Sequence, residues 1–200
     1  MGRSSAFELA FTVAVALALA LSVQAYAIKP YRIPSESMQP TLRVGDRVLV
    51  NRFSHRLGAD PKVGQIVVFH PPAGADDSGR CGNPDEGGGS LTPCSVPTPT
   101  ASSQTFIKRV VGVEGDRIAI RNGHVARNGR VQVEPFAAPC DPGGSCDFPN
   151  AITVSKDSVF LMGDNRGHSE DSRFWGPVPT SWVIGRAFAV YWPPNRAGMP

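Results

Sequence analysis

Beyond residue 28 no stretch of this chain repeats its apolar residues with a helical period. Short β-branched runs alternate instead with turns. One example is Lys62-Val-Gly-Gln-Ile-Val-Val-Phe69, a glycine turn and then a strand-forming run stopped by Pro71-Pro72. Twenty-one glycines and nineteen prolines in 200 residues keep up that punctuation and favour a turn-rich β protein over a helical bundle. Residues 43–53, 105–120, 152–162 and 182–192 read as further strands. Asn122-Gly123 and Asn128-Gly129 are hairpin-turn dipeptides flanked by Val125 and Val131. The expected fold is mostly β, with antiparallel sheets in a barrel-like domain.

Two stretches depart from that rhythm. Residues 9–28 are apolar except for Thr12, Ser22 and Gln24. Twenty helical residues at 1.5 Å each span about 30 Å, the thickness of a bilayer core. The segment reads equally as a retained transmembrane anchor behind a short head, residues 1–8, or as a removable signal peptide, with Ala25-Tyr26-Ala27 as a small-x-small cleavage site. Residues 73–104 are rich in Gly, Ser, Pro, Thr and Asp and too polar to pack, the mark of a surface insertion. Four cysteines lie in similar polar surroundings, none in a Cys-x-x-Cys. Short separation points to Cys81–Cys94 and Cys140–Cys146 disulfides in an oxidising compartment, although four cysteines allow three connectivities.

Charge excludes little but is informative. Sixteen arginines, four lysines and a scattered net charge of +3 give no footprint for nucleic acid. No residue pattern calls for a metal or an organic cofactor. Among the few lysines, Lys108 stands inside the apolar run Phe106-Ile-Lys-Arg-Val-Val111. If buried there, desolvation disfavours its ammonium and makes it a base near neutral pH; the structural alternative is a lysine that snorkels to water.

In Ile33-Pro-Ser-Glu-Ser-Met-Gln-Pro-Thr-Leu42, Ser35 and Ser37 lie two apart between Pro34 and Pro40. An extended backbone would put both hydroxyls on one face, and the prolines would stiffen it. The polar stretch Gly163-Asp-Asn-Arg-Gly-His-Ser-Glu-Asp-Ser-Arg173 supplies the charges and hydroxyls for a fixed network. His168 and Asp171 also permit a Ser-His-Asp arrangement with Ser37, for which Lys108 is the competing base.

In chain order, the stretches around Ser37, around Lys108 and from Gly163 to Arg173, with Gly45-Asp46, Gly64-Gln-Ile-Val-Val-Phe69, Gly112-Val-Glu-Gly-Asp116 and Gly185-Arg186, closely resemble bacterial type I signal peptidases, which use a serine–lysine dyad. The resemblance covers most of residues 31–192 and leaves the 73–104 insertion outside the shared pattern. It implies Ser37 as nucleophile, Lys108 as general base and Ser35 as oxyanion donor beside the Ser37 N–H. Ser169 would orient the amine, with Asp164, Asp171, Arg109 and Arg173 as supporting charges. Ile33, Pro34, Met38, Leu42, Phe106 and Ile107 would line the substrate cleft. His168 receives no role.

It further implies a retained anchor at 9–28, with the N-terminus cytoplasmic and residues 29–200 forming a catalytic domain on the extracytoplasmic side. The partners would be membrane-tethered preproteins, cut after Ala-x-Ala, and the bilayer. The rival readings are a self-cleaving repressor-type or conjugal-transfer peptidase, or a secreted, disulfide-tied β module with its signal removed after Ala27. A repressor-type enzyme would need a DNA-binding segment for which the first thirty, mostly apolar residues leave no room.

Overall fold

The computed structural model describes residues 3–75, 80–140 and 146–200. It opens with a 24-residue helix, α1 (Arg3–Tyr26), followed by strand β1 (Ile28–Arg32). The helix therefore begins within the expected polar head and stops short of Ile28. Proline at position 30 lacks a backbone N–H and biases Lys29 toward extended geometry, and Ile28 is claimed by pairing with Asn51. Among the described residues no helix is long and apolar enough to cross a membrane. Every side chain from Phe7 to Leu19 is nonetheless exposed.

The chain continues through β2 (Arg47–Asn51), the single-turn helix α2 (Phe53–Arg56) and β3 (Ile66–Phe69). After the insertion come β4 (Phe106–Val113), β5 (Arg117–Arg121), β6 (His124–Arg127) and β7 (Arg130–Val131). Next are β8 (Phe148–Thr153), β9 (Ser158–Met162), the one-turn α3 (Ser172–Trp175), β10 (Val178–Pro179) and β11 (Val183–Trp192). Two antiparallel sheets result, ordered β1-β2-β11-β3-β4-β9-β10 and β7-β6-β5-β8. The larger sheet does not close into a barrel, because β1 and β10 are left as its edges. It curls instead. Register shifts in β4 at Val110/Gly112 and in β11 at Ala187/Ala189 and Val190/Trp192 are the irregularities that bend strands.

Both Asn-Gly pairs form the expected hairpins. Asn122, Gly123, Asn128 and Gly129 all have positive φ, and Arg121 pairs His124 as Arg127 pairs Arg130. The run expected as one strand over 152–162 is two. β8 ends in the small sheet, the chain turns at Asp157 (φ 53°), and β9 joins the large one.

Strand alternation places the core. Ile66 and Val68 of β3 point to one apolar cluster, with Ile33, Met38 and Leu42; Val67 and Phe69 point to another, with Trp175. A third cluster, around Ile118, Phe148 and Phe160, joins the small sheet to β4 and β9. Central β4 is thus packed on both faces, and that is what can keep a lysine dry.

Candidate active site

The segment bearing Ser37 is held at both ends. Ile33 N donates to Asp46 O and Gly45 N to Ile33 O, each at 2.9 Å, while Met38 and Leu42 are anchored in the core. Between these anchors the backbone turns rather than extending, with Gln39 N donating to Glu36 O. Ser35 Oγ and Ser37 Oγ still meet, 3.4 Å apart. The apolar residues of this stretch serve the core more than the cleft. Ile33, Met38 and Leu42, expected as substrate contacts, lie beneath it, the last two at 0% exposure, because the turn directs them inward under β2 and β3. Pro34, Phe106 and Ile107 do line the cleft, a space of about 360 Å³ that also holds Ser37, Lys108 and Glu170. A separate concavity of about 540 Å³, beside Arg117 and Arg121 on the small sheet, is lined by no serine, cysteine or lysine.

Lys108 comes from the middle of β4 and is 4% exposed. Its Nζ donates to Ser37 Oγ at 2.7 Å and lies 5.7 Å from the Phe106 ring. Burial is the main influence on the amine and brings its pKa down from 10.5 to about 8; Arg173 adds to this, while Asp171, Asp164 and Glu170 oppose it. An amine so placed is uncharged in a useful fraction at mildly alkaline pH. Its lone pair can then take the Ser37 proton along the same line.

Three buried ion pairs frame the dyad. Asp171 accepts from Arg173 Nε at 2.8 Å and Nη2 at 2.9 Å, from Ser169 Oγ at 2.9 Å and from Gly163 N at 3.0 Å. Burial by itself would raise the Asp171 carboxyl, but Arg173 and these donors hold it below its ordinary value. Asp164 accepts both Arg109 Nε and Nη2, at 2.8 and 2.7 Å, and the Thr41 hydroxyl at 2.5 Å. The third pair joins Arg166 to Glu134 in bidentate form, at 2.8 and 2.9 Å, and Arg166 also donates to Gly123 O.

Ser169 is directed to Asp171; its hydroxyl thus reaches the dyad's surroundings through that carboxylate. Gly163 occupies the tightest point. A Cβ there would lie 2.6 Å from Ser169 Cβ and would overlap both the Ser169 hydroxyl and the Ser37 carbonyl, so no other residue fits between them.

The structure thus brings together Ser35, Ser37, Lys108, Arg109, Asp164, Ser169, Asp171 and Arg173. His168 is exposed on the single turn Arg166–His168, and an amine faces Ser37 where a triad would put an imidazole. Sequence reasoning missed Glu134, 32 positions from its arginine, and Thr41; a lone carboxylate after a short strand gives no signal of its partner. It also missed Asn165, whose N–H donates to the Ser37 carbonyl at 3.1 Å.

A family model described as signal peptidase, peptidase S26, matches residues 6–192. The chain is similar to a signal peptidase I of Leptolyngbya laminosa, 35% identical over 188 residues that cover 94% of this chain and 80% of that protein. It is also similar to a signal peptidase I of Mycobacterium tuberculosis, 33% identical over 226 residues, covering 98% and 76%. A crystal structure of a signal peptidase I from Enterococcus faecalis aligns at 20% identity with a TM-score of 0.44, covering 64% of this chain and 97% of that one.

Proposed function

Given that the chain belongs to the signal peptidase family of serine peptidases, peptidase S26, we propose that it removes signal peptides from exported preproteins by cutting after a small-x-small motif, with Ser37 as nucleophile and uncharged Lys108 as general base. The observation that carries this reading is a buried amine 2.7 Å from a serine hydroxyl in a cleft.

In the first step Ser37 Oγ attacks the scissile carbonyl carbon as its proton passes to Lys108 Nζ. The tetrahedral oxyanion is met by the Ser35 hydroxyl and the Ser37 N–H. The ammonium then gives its proton to the departing amine, leaving an acyl-serine. A water deprotonated by the same lysine hydrolyses the ester and frees Ser37. An extended substrate along the cleft would be held by its backbone, with alternate side chains facing shallow walls near Pro34, Phe106 and Ile107. Walls of this kind admit alanine-sized residues and reject larger ones, with about 1–3 kcal/mol per methylene at stake.

In this reading helix α1 is the anchor. Its side chains from Phe7 to Leu19, apolar but for Glu8 and Thr12, are all exposed, and the two disulfides suit an oxidising compartment outside the cytoplasm. An anchored enzyme meets membrane-tethered preproteins at raised effective concentration. The expected partition is with the membrane fraction after an alkaline carbonate wash. Release into the wash would remove the anchor from the account.

The direct test is cleavage of a peptide carrying Ala-x-Ala, scored against the same peptide with phenylalanine at either small position. Cleavage after the second alanine is expected, with loss of at least about tenfold for each phenylalanine. Turnover should climb as pH rises through about 8, where Lys108 sheds its proton. An optimum near pH 5, or indifference to the phenylalanines, would overturn the reading.

A further inference from the structure

The 73–104 insertion lies outside the motifs of the family, yet its described part is fastened to the back of the active site. Cys94 is fully buried, is bonded to Cys81, and donates its N–H to the Arg173 carbonyl at 3.0 Å. Gly87 closes against the next residue. Its φ is +82°, and a Cβ there would sit 2.7 Å from the Phe174 carbonyl oxygen. Glu86 Oε2 ties the returning chain by accepting from Ser95 N at 2.7 Å and Ser95 Oγ at 2.6 Å. A second attachment runs to β8, where Asn150 N donates to Leu91 O at 3.1 Å and Asn150 Nδ2 to Thr92 Oγ1 at 3.0 Å.

What the insertion grips is the turn that supports the dyad. The Arg173 guanidinium is completely buried and donates to Asp171, to the Arg166 carbonyl and to the Ser169 carbonyl. Asp171 holds Ser169 and the Gly163 N–H. Gly163 in turn is wedged against the Ser37 carbonyl. A continuous path of short contacts therefore joins the Cys81–Cys94 bridge to Ser37. The insertion has too few apolar residues to press on α3 by core packing, so the cross-link takes over the task of keeping it ordered.

We propose that the Cys81–Cys94 segment is a positioning clamp that fixes the Arg173–Asp171 pair and, through it, the geometry of the Ser37–Lys108 dyad. This rests on the dyad reading above. Loosening the clamp lets Arg173 withdraw from Asp171 and lets water reach the amine. The charged groups facing Lys108 are Asp171, Asp164, Glu170 and Arg173. Weakening the one cation among them and admitting water both favour the ammonium. The active form then appears only at higher pH, and even there Ser37 is held less well.

The test compares three variants of the full chain on an Ala-x-Ala peptide across pH 6 to 10. They are Cys81→Ser with Cys94→Ser, Gly87→Ala, and Leu91→Ala, whose exposed side chain leaves its carbonyl's bond to Asn150 in place. The first two should lose about tenfold or more in kcat. Their acid limbs should move up by about half a unit or more, with KM within about twofold of the parent. Leu91→Ala should match the parent. Should the double variant fail to fold, Gly87→Ala, which leaves the bridge intact, decides alone.

A lowered melting temperature with kcat and acid limb unchanged would make the bridge a mere staple and sink the proposal. So would a rise in KM alone, which would make the insertion only a cleft wall. A parent chain inactive on the peptide would instead count against the peptidase reading itself.

Discussion

Ser37→Ala is expected to cut turnover of an Ala-x-Ala peptide by at least about 10⁴-fold while leaving KM nearly unchanged. The hydroxyl is the only atom that bonds to the substrate carbon in the proposed reaction, so its loss removes the acyl-enzyme route entirely. The residual rate would be the modest contribution of the oxyanion donors and substrate positioning. Little structural damage should accompany the loss. Ser37 is held by its backbone, through the Asn165 N–H on its carbonyl and by neighbouring Met38 in the core, and neither depends on the side-chain oxygen. One buried amine is left without its partner, at a cost of about 1–3 kcal/mol. Full activity in this variant would exclude the dyad. A rapid-quench search for a covalent acyl intermediate, present in the parent and missing in the variant, tests the same step independently.

Lys108→Met should give a comparable loss of activity with the opposite effect on stability. Removing the general base costs about 10²–10⁴-fold or more when the nucleophile depends on it wholly. The stability gain follows from linkage. The amine has a folded-state pKa of about 8 against 10.5 for the free group, so between these values the unfolded chain binds more protons than the folded one. Parent stability therefore rises as pH climbs from about 8 to 10.5 and is lowest, and flat in this respect, below about 8. At 1.36 kcal/mol per unit the folded parent carries a penalty of roughly 3 kcal/mol at pH 7.

Methionine is close in length, apolar and never charged, so it relieves that penalty less whatever the hydrogen bond to Ser37 was contributing. The expected result is a variant that is dead yet about 2–3 kcal/mol more stable to urea at pH 7, with the advantage fading toward pH 10.5. Equal or lower stability at pH 7 would show that the amine is better solvated than its burial suggests. The pattern is a stability cost kept in place by function.

Much of this molecule could be read before folding, because its signals are local. Asn-Gly pairs force positive φ, β-branched runs between glycines become strands, and the two short cysteine separations become the two bridges. The candidate site came into view through the resemblance of three ordered stretches to a family. By themselves a lysine in an apolar run also reads as one that snorkels to water, and paired serines between prolines as a turn.

What stayed hidden is the part that depends on direction. Ile33, Met38 and Leu42 flank the nucleophile in sequence, and an apolar residue beside a site looks the same whether it faces ligand or core; only the turn at Ser37 sends them inward. Asp157 breaks the 152–162 run by adopting a left-handed conformation that aspartate tolerates but does not announce. Glu134 finds Arg166 only once the small sheet has folded over β4 and β9. Whether the large sheet would close or remain open depends on β1 and β10 staying unpaired at its two edges, and that leaves no mark in composition.

The junction of α1 with β1 bears on self-digestion. Ala25-Tyr26-Ala27 has the form this peptidase is proposed to cut, yet its first two residues belong to a helix and Ile28 is already laddered to Asn51. A protease that reads its substrate as an extended ribbon finds no ribbon there. The chain wears the recognition sequence of its own victims, coiled up on one side and stitched down on the other.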